Sequence, residues 1–128
     1  MKAVPACLAA LAVLAAAPLA RATPDFPAAI QSDLMLSYTP NCSLCHANGV
    51  TNASTVTTPF GKSMLAAGLH AGDEASLQNA LNTLQTDMTD SDGDGTPDIQ
   101  ELQNDTDPNG AGTASSIAYG CGAEIAAG

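Results

Sequence analysis

Cys42-Ser43-Leu44-Cys45-His46 is the densest group of nucleophilic and metal-ligating side chains in the sequence. Two thiols separated by two residues, with an imidazole immediately after the second, are what covalent haem attachment requires. Each thiol adds to one vinyl group of the porphyrin, and the imidazole that follows is placed to bind iron from the same face. Two other chemistries use part of the pattern. A redox disulfide in Cys-x-x-Cys usually follows a strand in a βαβ setting, and no strand pattern precedes Cys42. A zinc site needs four ligands. Cys42, Cys45 and His46 with Cys121 or His70 supply that number on paper, but no second paired motif accompanies them.

The segment Asp90-Ser-Asp92-Gly-Asp94-Gly95-Thr96-Pro97-Asp98-Ile-Gln-Glu101 has oxygen donors at the spacing of a calcium loop. Calcium is a hard ion that takes about six to eight oxygens. Asp90, Asp92 and Asp94 fall at positions 1, 3 and 5, Gly95 permits the sharp turn at 6, the Thr96 carbonyl contributes at 7, and Glu101 closes the site at 12. Asp98, at position 9, is expected to act through water. Without a cation these carboxylates repel one another. The plainer alternative is an acidic run on a solvated face.

Composition bears on both motifs. The chain has 128 residues, with 13 acidic against 3 basic side chains and a formal charge of -10. That disfavours nucleic acid and anionic membranes as partners, because affinity for phosphate comes from Lys and Arg. More than half of the acidic residues lie between Asp87 and Asp107, around the calcium-type loop. Two Phe, two Tyr and no Trp are few for a core; a haem, large, flat and apolar, is one group able to fill the space aromatic residues usually fill.

Residues 1–22 have the layout of an export signal: Met1-Lys2, an apolar run from Ala3 to Leu19, and Ala20-Arg21-Ala22 as a small-x-small cleavage site. The apolar run between Pro5 and Pro18 is well short of the roughly 20 residues a bilayer span needs. Cleavage leaves Lys62 as the one Lys or Arg, and leaves Cys42, Cys45 and Cys121, an odd number whose last member has no role assigned by sequence. The expected compartment is periplasmic or extracellular, with no membrane span in the mature chain.

Three or four short helices must position these groups. Asp25 caps a first helix running to about Tyr38, with Phe26, Ile30 and Leu34 on one face. Residues 48–58 lack a helical period and read as a surface loop. Pro59-Phe60 opens a short second helix, Gly61 to Ala67, closed by Gly68. Asp73 to Met88 has the cleanest stripe, Leu77, Ala80, Leu81, Leu84 and Met88. Asp98 to Gln103 forms a short exit helix, stopped by Thr106-Asp107-Pro108-Asn109-Gly110. The expected fold class is all-α. Its organisation is a helical domain over 23–89, a helix-loop-helix calcium segment over 90–109, and a tail over 110–128.

With export, the helix before it and the motif itself, Cys42-Ser43-Leu44-Cys45-His46 resembles the cytochrome c family. The resemblance implies a small cytochrome c-like domain with thioether links at Cys42 and Cys45, axial iron ligation by His46, single-electron transfer and no enzymatic activity. It implies a downstream Met as sixth ligand; Met64 is the first candidate, with Met88, Met35 and His70 behind it. The acidic loop resembles an EF-hand, and with Asp105-Thr106-Asp107-Pro108-Asn109 it is still more similar to the bacterial calcium-binding repeats related to thrombospondin type 3 units. Pro97 departs from an EF-hand, since position 8 there donates a backbone N–H that Pro lacks. A redox partner with a basic docking surface would suit the acidic chain. Two alternatives stand beside the electron carrier: a five-coordinate haem sensor or peroxidase-like protein, and a calcium-stabilised surface module without haem.

Overall fold

The computed structural model describes residues 26–110. The leader 1–22, Asp25, Cys121 and the tail beyond Gly110 lie outside the described residues. Four α-helices follow in order: α1 (Phe26–Leu34), α2 (Pro59–Ala66), α3 (Glu74–Asp87) and α4 (Asp98–Gln103), with short 3-10 turns at Cys42–Leu44, Ala47–Gly49 and Ala53–Thr55. There is no strand among the described residues, so the all-α expectation holds. Nor, among them, is any helix long and apolar enough to cross a membrane.

Helix α3 is the hub, packing against each of the other three. Its stripe explains why: Leu77, Ala80, Leu81 and Leu84 are all buried. Full burial of one such Leu is worth about 1.5–3 kcal/mol. At its start the Asp73 carboxylate accepts from the N–H groups of Ala75 and Ser76 at 3.0 and 3.2 Å, satisfying two donors that the first turn leaves unpaired. The core continues through Ile30, Leu34 and Leu36 from the α1 region, Phe60 and Met64 from α2, and Ile99 and Leu102 from α4. The segment 90–109 therefore shares the hydrophobic cluster of the residues before it. Phe60 is the one aromatic residue fully buried in that cluster. Aliphatic side chains close the interior, a solution the aromatic count did not suggest.

All four helices end the same way, and only one end is marked by a glycine in the sequence. Gly68 adopts a left-handed conformation and Leu69 N–H reaches back to the Met64 carbonyl at 3.0 Å. Met35, Met88 and Asp105 take the same conformation, with Leu36 N–H on the Gln31 carbonyl at 2.9 Å, Thr89 N–H on the Leu84 carbonyl at 3.0 Å and Thr106 N–H on the Glu101 carbonyl at 2.9 Å. These are Schellman closures. A side chain in that region costs roughly 1–2 kcal/mol; at Met35 the cost is offset by capped carbonyls and by turning Leu36 into the core. Helix α1 thus stops at Leu34 rather than near Tyr38, and Met88 projects into solvent instead of extending the α3 stripe.

Candidate functional site

The Cys42–Leu44 turn begins at Asn41, whose side chain accepts from Ser43 N–H at 2.5 Å. Residues far away in the chain then fix the turn. Leu44 is buried in the core, and its carbonyl accepts from Thr58 Oγ1 at 2.8 Å and from Asn109 Nδ2 at 3.1 Å. Asn109 Oδ1 in turn accepts from Phe60 N–H at 2.9 Å, so one amide side chain joins the cysteine turn, the start of α2 and the segment that follows α4. Tyr38 donates its hydroxyl to the Leu102 carbonyl at 2.8 Å, anchoring the approach to the turn on α4. Burial, with Asp105 and Asp107 nearby, pushes that phenol up to about 12.

Gly61 is the close approach in this arrangement. A Cβ there would lie 2.5 Å from the Cys45 carbonyl oxygen and 3.0 Å from Cys45 Cα, so only glycine lets α2 pack directly on the cysteine turn. Cys45 packs against the hydrophobic cluster, and burial pushes its thiol up to about 12. Its thiol is free, whereas Cys42 is disulfide-bonded. The two motif cysteines are therefore not paired with each other, and the Cys-x-x-Cys redox alternative has no support here.

His46 is half-buried, and its Nδ1 lies 3.0 Å from Thr55 Oγ1. Thr55 belongs to the stretch read from sequence as a plain surface loop. Its turn is closed by a capping box in which Asn52 and Thr55 bond each other's backbone. With Nδ1 engaged, Nε2 is the nitrogen that remains for a metal. The donor set Cys42, Cys45 and His46 suits a haem, a free Cys42 thiol being the added requirement. Of the four sixth-ligand candidates, Met64 is wholly buried in the cluster against which Cys45 packs. Met35, Met88 and His70 are exposed.

The second site is the acidic loop. Asp90, Asp92 and Asp94 each offer an oxygen within 4.8 Å of the others. Local bonds curl the chain around that point. Asp90 accepts from Gly93 N–H at 2.8 Å and Gly95 N–H at 2.9 Å, Asp92 from Asp94 N–H at 3.0 Å, and Asp94 from Thr96 N–H at 2.8 Å. Gly95 takes φ +99, the turn expected at position 6. Glu101 is buried on α4, and two buried oxygens, Asp92 Oδ2 and Glu101 Oε2, have no hydrogen-bond partner. Burial, then the charges of Asp92, Asp94, Asp98 and Asp107, push the Glu101 carboxyl up to about 7. An orphaned buried carboxylate oxygen is costly unless a cation meets it, so the residues at positions 1, 3, 5 and 12 suit calcium.

Asp98 is built differently. It is fully buried, and its two oxygens accept from Ser91 N–H at 2.7 Å and Ser91 Oγ at 2.6 Å. Burial is the largest influence on its carboxyl, which is raised. Ser91 Oγ lies 2.6 Å from Ser63 Oγ on α2, so Asp98 ties the loop to that helix while Thr89 and Asp98 close its base through a backbone bond of 2.8 Å. Thr55, Gly61, Ser63 and Asn109 are the residues of these sites that sequence reasoning passed over. The Asn52-x-x-Thr55 capping pattern was the one local signal among them. No protein-family model, curated protein or solved structure matches the chain.

Proposed function

We propose that the chain is an exported mono-haem c-type cytochrome, a single-electron carrier without catalytic turnover, whose fold is braced by one calcium ion held at residues 90–101. The observation that carries the haem assignment is the Cys42-Ser-Leu-Cys45-His46 turn, with the Nδ1 of its imidazole already engaged. The two unpartnered oxygens of Asp92 and Glu101 support the calcium assignment. Cys42 and Cys45 would hold the haem covalently and His46 would ligate its iron. Once bound, that group supplies reversible one-electron chemistry.

The protein's own residues set the conditions for this. A thiol raised as far as that of Cys45 is a poor nucleophile, because the thiolate is the reactive form. To hold the group Cys42 would have to be a free thiol, which requires an external thiol reductant to open its disulfide. Met64 remains the first candidate for the sixth position, being a buried thioether in the cluster that Cys45 touches. Asp90, Asp92, Asp94, the Thr96 carbonyl and Glu101 are the proposed calcium ligands. Asp98 braces the loop through Ser91 rather than facing the ion directly. The acidic surface favours redox partners with basic docking faces.

An alkaline-pyridine haem assay, on protein made in a host competent for cytochrome c maturation, tests the assignment; absence of covalent haem defeats it. Visible spectra of both oxidation states, with and without carbon monoxide, separate an electron carrier from an open-site sensor or peroxidase. A spectrum indifferent to the gas is expected. A second function, a calcium-stabilised module without haem, is favoured by the Cys42 disulfide and by a core already closed with aliphatic side chains. The same haem assay decides between them.

A further inference from the structure

The Thr55 hydroxyl has more neighbours than protons. It donates toward the Asn52 carbonyl at 2.9 Å and toward the Val50 carbonyl, receives Asn52 N–H at 3.2 Å, and lies 3.0 Å from His46 Nδ1. A threonine hydroxyl carries one hydrogen and two lone pairs. Both carbonyls can only accept, so the hydrogen goes to one of them. Toward His46 the oxygen is then an acceptor, an arrangement that favours the ring proton on Nδ1, since a bare Nδ1 would be a third acceptor competing for one hydrogen. We propose that Thr55 is a positioning residue that holds His46 as the Nδ1–H tautomer, orients the ring and keeps the Nε2 lone pair available for a metal.

The cradle is built for that task. Asn52 fixes Thr55 by the reciprocal capping bonds of the Ala53–Thr55 turn, and a Ser54 N–H to Asn52 Oδ1 bond of 3.0 Å holds the Asn52 side chain itself. The ring is thus constrained from a segment nine residues away from it in sequence. An acceptor on the distal ring nitrogen also makes the ligating nitrogen more basic, which stabilises the more highly charged state of a bound metal. This last consequence rests on the haem assignment, but the tautomer does not.

The test uses the full chain with nitrogen-15 label, first made without haem, at about pH 8 where imidazole is neutral. Two-bond proton–nitrogen correlation spectra report the tautomer of each histidine, and exposed His70 serves as the internal reference for a ring free in water. His46 is expected to be mostly Nδ1–H. Thr55→Val, which keeps the shape and loses the hydroxyl, should shift it to the Nε2–H form preferred in water, and Thr55→Ser should restore it. In haem-loaded protein, Thr55→Val should shift the reduction potential upward and Thr55→Ser should return it. The proposal is overturned if wild-type His46 is mostly Nε2–H, or if Thr55→Val leaves the tautomer unchanged. If Thr55→Val does not fold, the wild-type tautomer and its retention in Thr55→Ser decide the matter. If no haem is taken up, the tautomer still decides for or against Thr55 while the haem assignment fails separately.

Discussion

The cysteine turn and the acidic loop are both short, chemically dense segments, yet they are organised in opposite ways. In the acidic loop the shaping bonds run between residues a few positions apart, Asp90 to Gly93 and Gly95, Asp92 to Asp94, Asp94 to Thr96. What those bonds leave unsatisfied is what a cation would satisfy, namely Asp92 Oδ2 and Glu101 Oε2. In the cysteine turn the shaping groups come from a distance. Thr58 and Asn109 hold the Leu44 carbonyl, Gly61 admits α2 against Cys45, and Thr55 engages His46. A local site can be written into a dozen residues. A site assembled from distant segments exists only when the fold does. Asn109 ties the cysteine turn to the start of α2, and the Ser63–Ser91–Asp98 chain ties the acidic loop to the same helix, so α2 is the element the two share.

The largest expected effect separates the regions outright. Replacing Cys42 and Cys45 together by Ser should abolish covalent haem in the pyridine assay while leaving the calcium-induced rise in melting temperature in place. Haem retained covalently in that variant would break the assignment of the turn.

Calcium itself comes next. A ligand that binds only the folded state at a hundred times its Kd adds about 2.7 kcal/mol, or roughly 10–20 °C in a domain of this size. Thermal melts in chelator and in excess calcium should differ by that order, and Glu101→Gln should remove the difference. Identical melts would mean the loop is an acidic face and nothing more.

Smaller effects test the link between the regions. Asn109→Ala leaves Phe60 N–H without its partner, at a cost of about 1–3 kcal/mol. Gly61→Ala forces a methyl group onto the Cys45 carbonyl, with an overpacking cost of about the same size. Denaturant midpoints measure both. In Asn109→Ala, hydrogen exchange should also speed up at Leu44 to His46 and not only near residue 109.

The gentlest prediction concerns pH. Glu101 is raised to about 7 in the folded, cation-free protein, against about 4.3 unfolded. The folded state therefore holds this proton more tightly, and the stability it contributes is complete below about pH 4 and is lost as pH rises through about 7. The raised Asp98 carboxyl acts in the same direction. Cation-free melts should fall across that window, and Glu101→Gln should flatten the fall. Calcium displaces the proton, so its stabilising effect should grow over the same window.

Much of the fold was legible because helix signals are local. The α3 stripe from Leu77 to Leu84, the Asp73 cap, the Pro59 start of α2 and the Asp98–Gln103 helix can all be read from neighbouring side chains. The ends of α1 and α3 could not, because Met35 and Met88 take the left-handed turn that sequence reading expects of glycine, and at Met35 the burial of Leu36 helps offset its cost. The clustering of Asp90, Asp92 and Asp94 and the turn at Gly95 were legible because they are local; the pairing of Asp98 with Ser91 was not, because Ser91 is held by Ser63 from α2.

The sequence by itself determined which groups are present and in what order: two thiols and an imidazole within one turn, and carboxylates alternating around a glycine. Side-chain identity and chain spacing are covalent facts that folding does not alter. The tertiary structure alone decided that Cys45 packs against the core, that aliphatic side chains make up most of that core, that Asn109 clamps the cysteine turn and that Thr55 meets His46. Each of these needs segments far apart in the chain to meet, and only the burial of the shared core around α3 brings them together.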